Sequence, residues 1–254
     1  MKKIVKVFDD GVHKTYSFMG LKIHRRINNR NFNILVRASM FANSVARTHS
    51  ASFDEFKGCN TGKSITLIAT GPSLARFKPI DDTKYIGVNK AYKYDKVELD
   101  YLFIQDFASK EYITDLSSEK YSNIIKFIGI LPKKDIIIPE SLSFKLRGRR
   151  YYTDESLRPH QFTYDISTTT LGDFSSVIFS AVQFALWTNP SKIYLVGCDC
   201  SSGYFDNTKT QNSMEHLVSN WKKLKEFSQV YYSSTEIISI NPVGLKGIFE
   251  DKFI

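Results

Sequence analysis

The stretch ITLIATGPSLARF (Ile65–Phe77) sets the expectation for the fold. Its first half, Ser64–Ala69, is a short and almost continuous apolar run, typical of a strand that is covered on both faces. Gly71, Pro72 and Ser73 then end the strand, because glycine permits close backbone approach and proline suits the first turn of a helix. No P-loop and no G-x-G-x-x-G motif is present here, so the residues are consistent with a plain strand-to-helix turn or with a turn whose amides hold an anion.

The rest of the chain repeats this strand-then-helix pattern. Further short apolar runs lie at Tyr85–Asn89, Leu99–Gln105, Asn123–Ile128, Ile193–Gly197 and Glu236–Ile240. Leu171–Trp187 has apolar residues at helical spacing, and Met214–Phe227 predicts a second, more polar helix. The alternation predicts an α/β fold, a Rossmann-like and mostly parallel sheet with helices on both faces. In such sheets ligands bind beyond the carboxyl ends of the strands.

Residues 1–63 differ in composition from the rest and predict a basic N-terminal extension, followed by a catalytic domain over residues 64–254. The first 60 residues hold eleven Lys or Arg against four acids. His13–Arg26 alternates enough to predict a strand or hairpin, and residues 31–47 predict a helix. A second basic cluster, Lys145–Arg150, reads either as a solvated face or as a contact for an anion.

Composition limits the classes of protein to consider. With 254 residues, 42% of them apolar and 14% aromatic, the chain can build a sizeable core. The net charge of +9 favours an anionic partner such as a nucleotide or a membrane surface. Three cysteines without regular spacing argue against a disulfide framework, and no run of 18 apolar residues exists. We therefore expect a cytoplasmic protein, at most peripheral at the inner face of the membrane, whose basic residues contact that surface.

Four polar residues near predicted strand ends are candidates for chemistry. Asn89 follows an apolar strand and could contact a base or ribose, or cap a helix. Asp199 and Tyr204 lie in a Ser/Gly-rich loop after another strand, a composition typical of ligand loops. His216 begins a predicted helix and is either a general base or a surface histidine.

Several short motifs, in this order, resemble the bacterial family-42 sialyltransferases and related G-P-S-L-containing glycosyltransferases of surface-polysaccharide synthesis. The resemblance covers roughly residues 64–245 and is carried by ATGPSL (Ala69–Leu74), VNKAY (Val88–Tyr92), SAVQFAL with KIYLVGCD (Ser180–Asp199), HLVSNWKKLKEF (His216–Phe227) and INP (Ile240–Pro242). It implies a variant of the GT-A fold and an inverting, metal-independent and cofactor-free transfer. The donor would be a CMP-activated acidic sugar, sialic acid or a Kdo-like one, and the acceptor a glycan of lipooligosaccharide or capsule.

The same resemblance implies a role for each matching residue. It makes His216 the base that deprotonates the acceptor hydroxyl and places Tyr204 at the leaving phosphate. The residues that it implies for donor binding are Gly71, Pro72, Ser73, Asn89, Ser175, Ser176 and Asp199. The segment DFSS (Asp173–Ser176) lacks the arginine expected beside an acidic sugar, and Arg147, Arg149 or Arg150 could replace it.

Two other functions stay open on the residues alone. One is a Mg²⁺-dependent, pterin diphosphokinase-like enzyme, for which Asp106 and Asp199 could hold the metal. The other is a non-catalytic module that binds a nucleotide or a glycan. No nucleic-acid-binding module is recognisable, so we expect no such partner, while self-association stays open.

Overall fold

The computed structural model describes residues 6–9, 13–18, 21–26, 30–105, 114–130, 146–153, 161–208 and 215–254, with side chains from residue 36 onward. It divides by contacts into two compact units, Met1–Ser44 and Val45–Ile254. This division lies inside a helix, whereas the sequence places the boundary after residue 63. Residues 45–63 are therefore part of the second compact unit.

The first unit contains a three-stranded antiparallel sheet, formed by β1 (Lys6–Asp9), β2 (His13–Phe18) and β3 (Leu21–Arg26). The hairpin predicted over His13–Arg26 is thus confirmed, with β2 and β3 paired along their whole length. Helix α1 (Arg30–Phe53) follows and continues into the second unit. The helix predicted over residues 31–47 is confirmed and is longer than predicted.

The described residues of the second unit form one eight-stranded parallel sheet. Its strands are β4 (Ser64–Ile68), β5 (Thr83–Val88), β6 (Tyr101–Ile104), β7 (Ile125–Ile130), β8 (Arg149–Tyr152), β9 (Lys192–Val196), β10 (Glu236–Ile240) and β11 (Glu250–Lys252). Their order in the sheet is β11-β10-β9-β4-β5-β6-β7-β8. The α/β, Rossmann-like fold is confirmed. All six predicted strands form, with shifts of a few residues at their ends.

The sequence analysis missed the two edge strands. β8 has the sequence RRYY and β11 the sequence EDK, so neither shows an apolar run. Charged residues are common at sheet edges, where they discourage pairing with another chain. The last two residues of the predicted basic cluster, Arg149 and Arg150, therefore begin an edge strand.

Each face of the sheet is covered differently. On one face lie α2 (Val177–Trp187), α3 (Leu217–Tyr231) and the end of α1. Every residue of α2 is buried, which explains its apolar character on all sides, and Phe184 packs against Phe103 and Phe127. Among the described residues, those that pack on the other face include the 3₁₀ helices Pro72–Arg76 and Asn89–Lys93.

The order of the strands reverses at β4. From β4 the chain builds outward through β5 to β8, and then returns to place β9 on the other side of β4. The carboxyl ends of β4 and β9 are therefore neighbours at a topological switch point, where ligands bind in open α/β sheets. The stretch that begins at Ile65 lies at this point.

Candidate functional site

The loops after β4 and β9 are joined by a buried hydrogen-bonded pair, Ser73 and Asp199. The Ser73 N–H donates to Asp199 Oδ2 over 2.6 Å, and the Ser73 hydroxyl donates to Oδ1 of the same carboxylate. Both side chains are about 4% exposed. The donors that the sequence suggested for a phosphate are thus engaged with a carboxylate. Hydrogen bonds to an ionised group are among the stronger ones, so this pair fixes the two loops against each other.

Glycines allow these loops to approach closely. The Gly71 N–H donates to the Gly197 carbonyl over 2.9 Å. A Cβ on Gly71 would lie 2.5 Å from that carbonyl oxygen and 2.7 Å from Asp199 Oδ2. Gly197 itself has a φ of +68°, which glycine adopts without steric cost. Loop packing therefore accounts for the glycine of G-P-S, whether or not a ligand is present.

Pro72 and the loop of Tyr204 form the more exposed part of this site. Pro72 is exposed at the start of its 3₁₀ helix and lies beside Gly203, where an added Cβ would be 3.6 Å from Pro72 Cγ. The Phe205 N–H donates to the Thr70 carbonyl over 3.0 Å, which holds the loop of Tyr204 over the end of β4. The structure thus brings the loop of Tyr204 next to the G-P-S loop, and the role of Tyr204 at the leaving phosphate stays a prediction.

Lys90 is a residue that the sequence analysis missed. Its Nζ lies 5.6 Å from the centre of the Tyr204 ring, and its side chain is half-buried. The pKa of the Asp206 carboxyl is lowered mainly by a hydrogen bond from the Thr208 hydroxyl. The positive charge of the nearby Lys90 lowers this pKa further. The loop after β5 therefore supplies a cation at the switch point, where the G-P-S loop has none. The signal in the sequence is a lysine directly after Asn89.

Asn89 is anchored at the end of β5. Its Oδ1 accepts the Gln105 N–H over 3.0 Å, and its φ is +44°, a region that asparagine tolerates better than most residues. This hydrogen bond ties the end of β5 to the end of β6 and so positions Lys90.

The segment before α2 is unusual in its backbone. Phe174 and Ser175 have φ values of +47° and +65°, so two consecutive non-glycine residues are left-handed. Such conformations occur where the surroundings impose them, and they are common at functional sites. The buried Asp173 carboxylate accepts the Ser175 N–H over 3.1 Å, and Ser176 precedes the first residue of α2. The left-handed residues explain why the helix begins at Val177 rather than at the predicted Leu171.

Near the start of α2, the half-buried Gln105 forms a polar cluster with the buried Tyr151 and Ser180. Gln105 Nε2 donates to Ser180 Oγ over 3.5 Å, and the Tyr151 hydroxyl is fully buried without a hydrogen bond of good geometry. Burial raises the pKa of Tyr151. Ser180 is in the first turns of α2 and Gln105 follows β6, so the N-terminus of α2, with Ser175 and Ser176, lies at the same carboxyl edge as the G-P-S loop.

His216 is exposed and immediately precedes α3. The helix links the loop after β9 to β10, so it begins on the carboxyl side of the parallel sheet. Trp221, one turn further along, packs against Phe179 of α2 with ring centres 4.9 Å apart. The fold therefore places His216 at the ligand-binding edge, and its role as a base stays a prediction.

The arginines proposed as substitutes for the absent one lie elsewhere. Arg149 begins β8 and contacts Glu55 and the backbone carbonyls of Ala51 and Ser52 near the end of α1. Arg147 precedes that strand. The start of a parallel strand is opposite the ligand-binding edge, so neither residue supplies a cation beside Ser175. Their positions count against Arg147 and Arg149 as replacements, while for Arg150, the second residue of β8, the replacement stays a prediction.

The cysteines and carboxylates of the described residues form no metal cluster. All three cysteines are free, and burial raises the pKa of Cys200 to about 11. Across the described residues, no three or more His, Cys, Asp or Glu side chains are grouped so that they could hold a metal ion. Asp106, the second carboxylate of the Mg²⁺ hypothesis, lies outside the described residues. A search of the described helices also finds none long and apolar enough to cross a membrane.

Comparisons with known proteins give few matches. No family model and no curated protein matches the chain. Among solved structures, the chain is similar to the MAf glycosyltransferase from Magnetospirillum magneticum AMB-1, with 13% sequence identity and a TM-score of 0.46. The similarity covers 83% of this chain but only 38% of that one. The name of that structure does not mention the family-42 sialyltransferases, so the resemblance to them stays a prediction.

Proposed function

We propose that the chain is a glycosyltransferase that takes its sugar from a CMP-activated donor and transfers it, with inversion and without a metal, to a glycan acceptor. The observation that carries this proposal is the meeting of the loops after β4, β5 and β9 at the switch point. The Ser73–Asp199 pair holds two of these loops together, and the Lys90–Tyr204 contact joins the third. The nucleotide would bind at this edge of the sheet.

Lys90 and Tyr204 are the groups best placed to receive the leaving phosphate. When the bond between the anomeric carbon and the phosphate oxygen breaks, negative charge develops on CMP. An ammonium group and a phenol hydroxyl at this edge of the sheet would stabilise the charge. Both oxygens of the Asp199 carboxyl group accept hydrogen bonds from Ser73, so we assign Asp199 to the shape of the loop rather than to phosphate contact.

His216 would act on the acceptor. A sugar hydroxyl is a weak nucleophile until a base removes its proton. In the proposed step, His216 takes that proton, the acceptor oxygen bonds to the anomeric carbon, and CMP leaves from the opposite side. Exposure of His216 at the edge of the site is compatible with a large glycan acceptor.

The nature of the donor sugar is the part of the proposal that the site supports least directly. An acidic sugar follows from the resemblance alone. Beside Ser175, however, the chain carries the Asp173 carboxylate, which would repel the carboxylate of such a sugar. The CMP-linked sugars that are tested as donors therefore have to include neutral as well as acidic ones.

The test is calorimetric binding of CMP, UDP, GDP and ATP to the full chain, each with Mg²⁺ and with EDTA, followed by turnover of CMP-linked sugars. We expect CMP to bind most tightly, equally well in EDTA, and at least one CMP-sugar to be consumed when a glycan acceptor is added. Preference for ATP with Mg²⁺ would instead establish the diphosphokinase-like enzyme. CMP binding without turnover of any acidic or neutral donor would indicate a binding module.

A further inference from the structure

The charge of the chain is concentrated in its first unit. Met1–Ser44 holds nine Lys or Arg residues and two Asp, a net charge of +7. The remaining 210 residues hold 26 basic and 24 acidic residues and carry only +2 of the total of +9. The uneven charge is therefore a property of one unit, and the proposed nucleotide site does not account for it.

The same unit exposes apolar side chains. All residues from 36 to 44 of α1 are exposed. Among them Val36 is 40%, Met40 67% and Phe41 39% accessible to solvent. Val36 and Met40 are four residues apart, so they lie on one side of the helix, with the exposed Arg37 close by. Apolar side chains on a helix within a strongly basic unit are typical of segments that lie in a membrane interface.

We propose that the first unit docks onto an anionic lipid bilayer, with Val36 and Met40 entering the boundary between headgroups and acyl chains. Anionic lipids attract basic residues near the surface, and the apolar side chains add burial that a purely electrostatic contact lacks. Association with a second copy is disfavoured, because two units of charge +7 repel each other. A nucleic acid would use the charge but would leave Val36 and Met40 exposed. This inference is independent of the proposed glycosyltransferase activity.

The experiment is flotation of the full chain with two kinds of vesicle, one of phosphatidylcholine alone and one with about a third phosphatidylglycerol. We expect binding to the anionic vesicles only, and weaker binding in 0.5 M salt because salt screens exposed charges. The double variant Val36→Ser/Met40→Ser should lower the bound fraction about tenfold, since it removes the apolar contact. The matched control is Val230→Ser/Val243→Ser, which changes two exposed valines of the second unit and should bind normally.

Three results would overturn the proposal. The first is no binding to anionic vesicles at low salt. The second is equal binding by the Val36→Ser/Met40→Ser variant and the control, which would leave charge alone as the cause. The third is a loss of self-association in the Val36→Ser/Met40→Ser variant, measured by light scattering, with unchanged vesicle binding, which would assign this face to a second copy. Circular dichroism of each variant checks that it is folded.

Discussion

The site has two parts that differ in burial and in the use of their polar atoms. Ser73 and Asp199, the buried pair, are almost inaccessible and bind each other. Lys90, Tyr204 and His216, which we call the rim residues, are half-buried or exposed at the same edge of the sheet. The comparison indicates a division of labour, in which the buried pair sets the shape of the loops and the rim residues act on the ligand. Substitutions in the two parts should then have different effects.

The largest expected effect is on turnover, from a change at the rim. His216→Ala should lower the rate of sugar transfer by roughly 10²–10⁴-fold, because the acceptor hydroxyl loses its base. Binding of CMP and the thermal midpoint should change little, because His216 is exposed. The control is Glu215→Gln, a change at the neighbouring exposed residue. Normal turnover by the His216→Ala variant would remove this residue from the proposed role.

The comparison applies only where the sheet is folded, and the buried His49 makes the stability of the fold depend on pH. His49 is fully buried, its Nδ1–H donates to the Ile166 carbonyl over 2.8 Å, and its Nε2 accepts the Tyr152 N–H over 2.7 Å. Only the neutral ring can form both bonds. Burial lowers the pKa of His49 from 6.5 to about 4.

Stability should consequently fall as the pH drops. Above pH 6.5 the ring is neutral in the folded and the unfolded chain. Between pH 6.5 and about 4 only the unfolded chain gains the proton, so the free energy of unfolding should decrease by about 3 kcal/mol over this window. Urea unfolding at several pH values measures the slope. In the His49→Gln variant the slope should be smaller, and equal slopes in both proteins would contradict the assignment.

A smaller loss of stability is expected from the buried pair. Asp199→Asn puts an amide where the carboxylate now accepts both Ser73 donors, so one donor loses its partner. A buried group left in this state costs about 1–3 kcal/mol. The matched change is Asp206→Asn, on the exposed carboxylate of the Tyr204 loop, which should cost a few tenths of a kcal/mol in comparison. Equal midpoints of urea unfolding for the two variants would show that the pair does not fix the loops.

Much of the fold and only part of this site could be predicted from the sequence. Apolar runs such as Ile193–Gly197 gave the parallel sheet, because strands covered on both faces must be apolar throughout. β8 and β11 were missed because edge strands carry charge. The G-P-S motif lies at the end of a strand, as the sequence predicts. The sequence does not show, however, that the two hydrogen-bond donors of Ser73 bind Asp199 instead of a phosphate. That contact joins loops far apart in the chain, and no local pattern encodes it.

The smallest expected effect is the one that decides whether the rim residues bind the donor. The sequence offered no reason to choose Lys90, because its proximity to Tyr204 arises only when the loops after β5 and β9 meet. Lys90→Met keeps most of the length of the side chain and removes the charge, so CMP affinity should fall about tenfold, the loss of roughly 1.4 kcal/mol of charge-assisted binding. Calorimetry with CMP measures this change.

Lys93→Met is the matched control, since Lys93 lies on the same 3₁₀ helix but is exposed and paired with Asp115 at 3.8 Å. If both variants bind CMP equally, the phosphate does not lie beside Tyr204. An electrostatic contact is indicated if only the Lys90→Met variant loses affinity. The difference in CMP affinity between this variant and the unmodified chain should then become smaller in high salt, because salt screens charges. The cation that the G-P-S loop lacks would then come from the 3₁₀ helix after the neighbouring strand β5. This explains how the site can bind a phosphate although the donors of Ser73 bind Asp199.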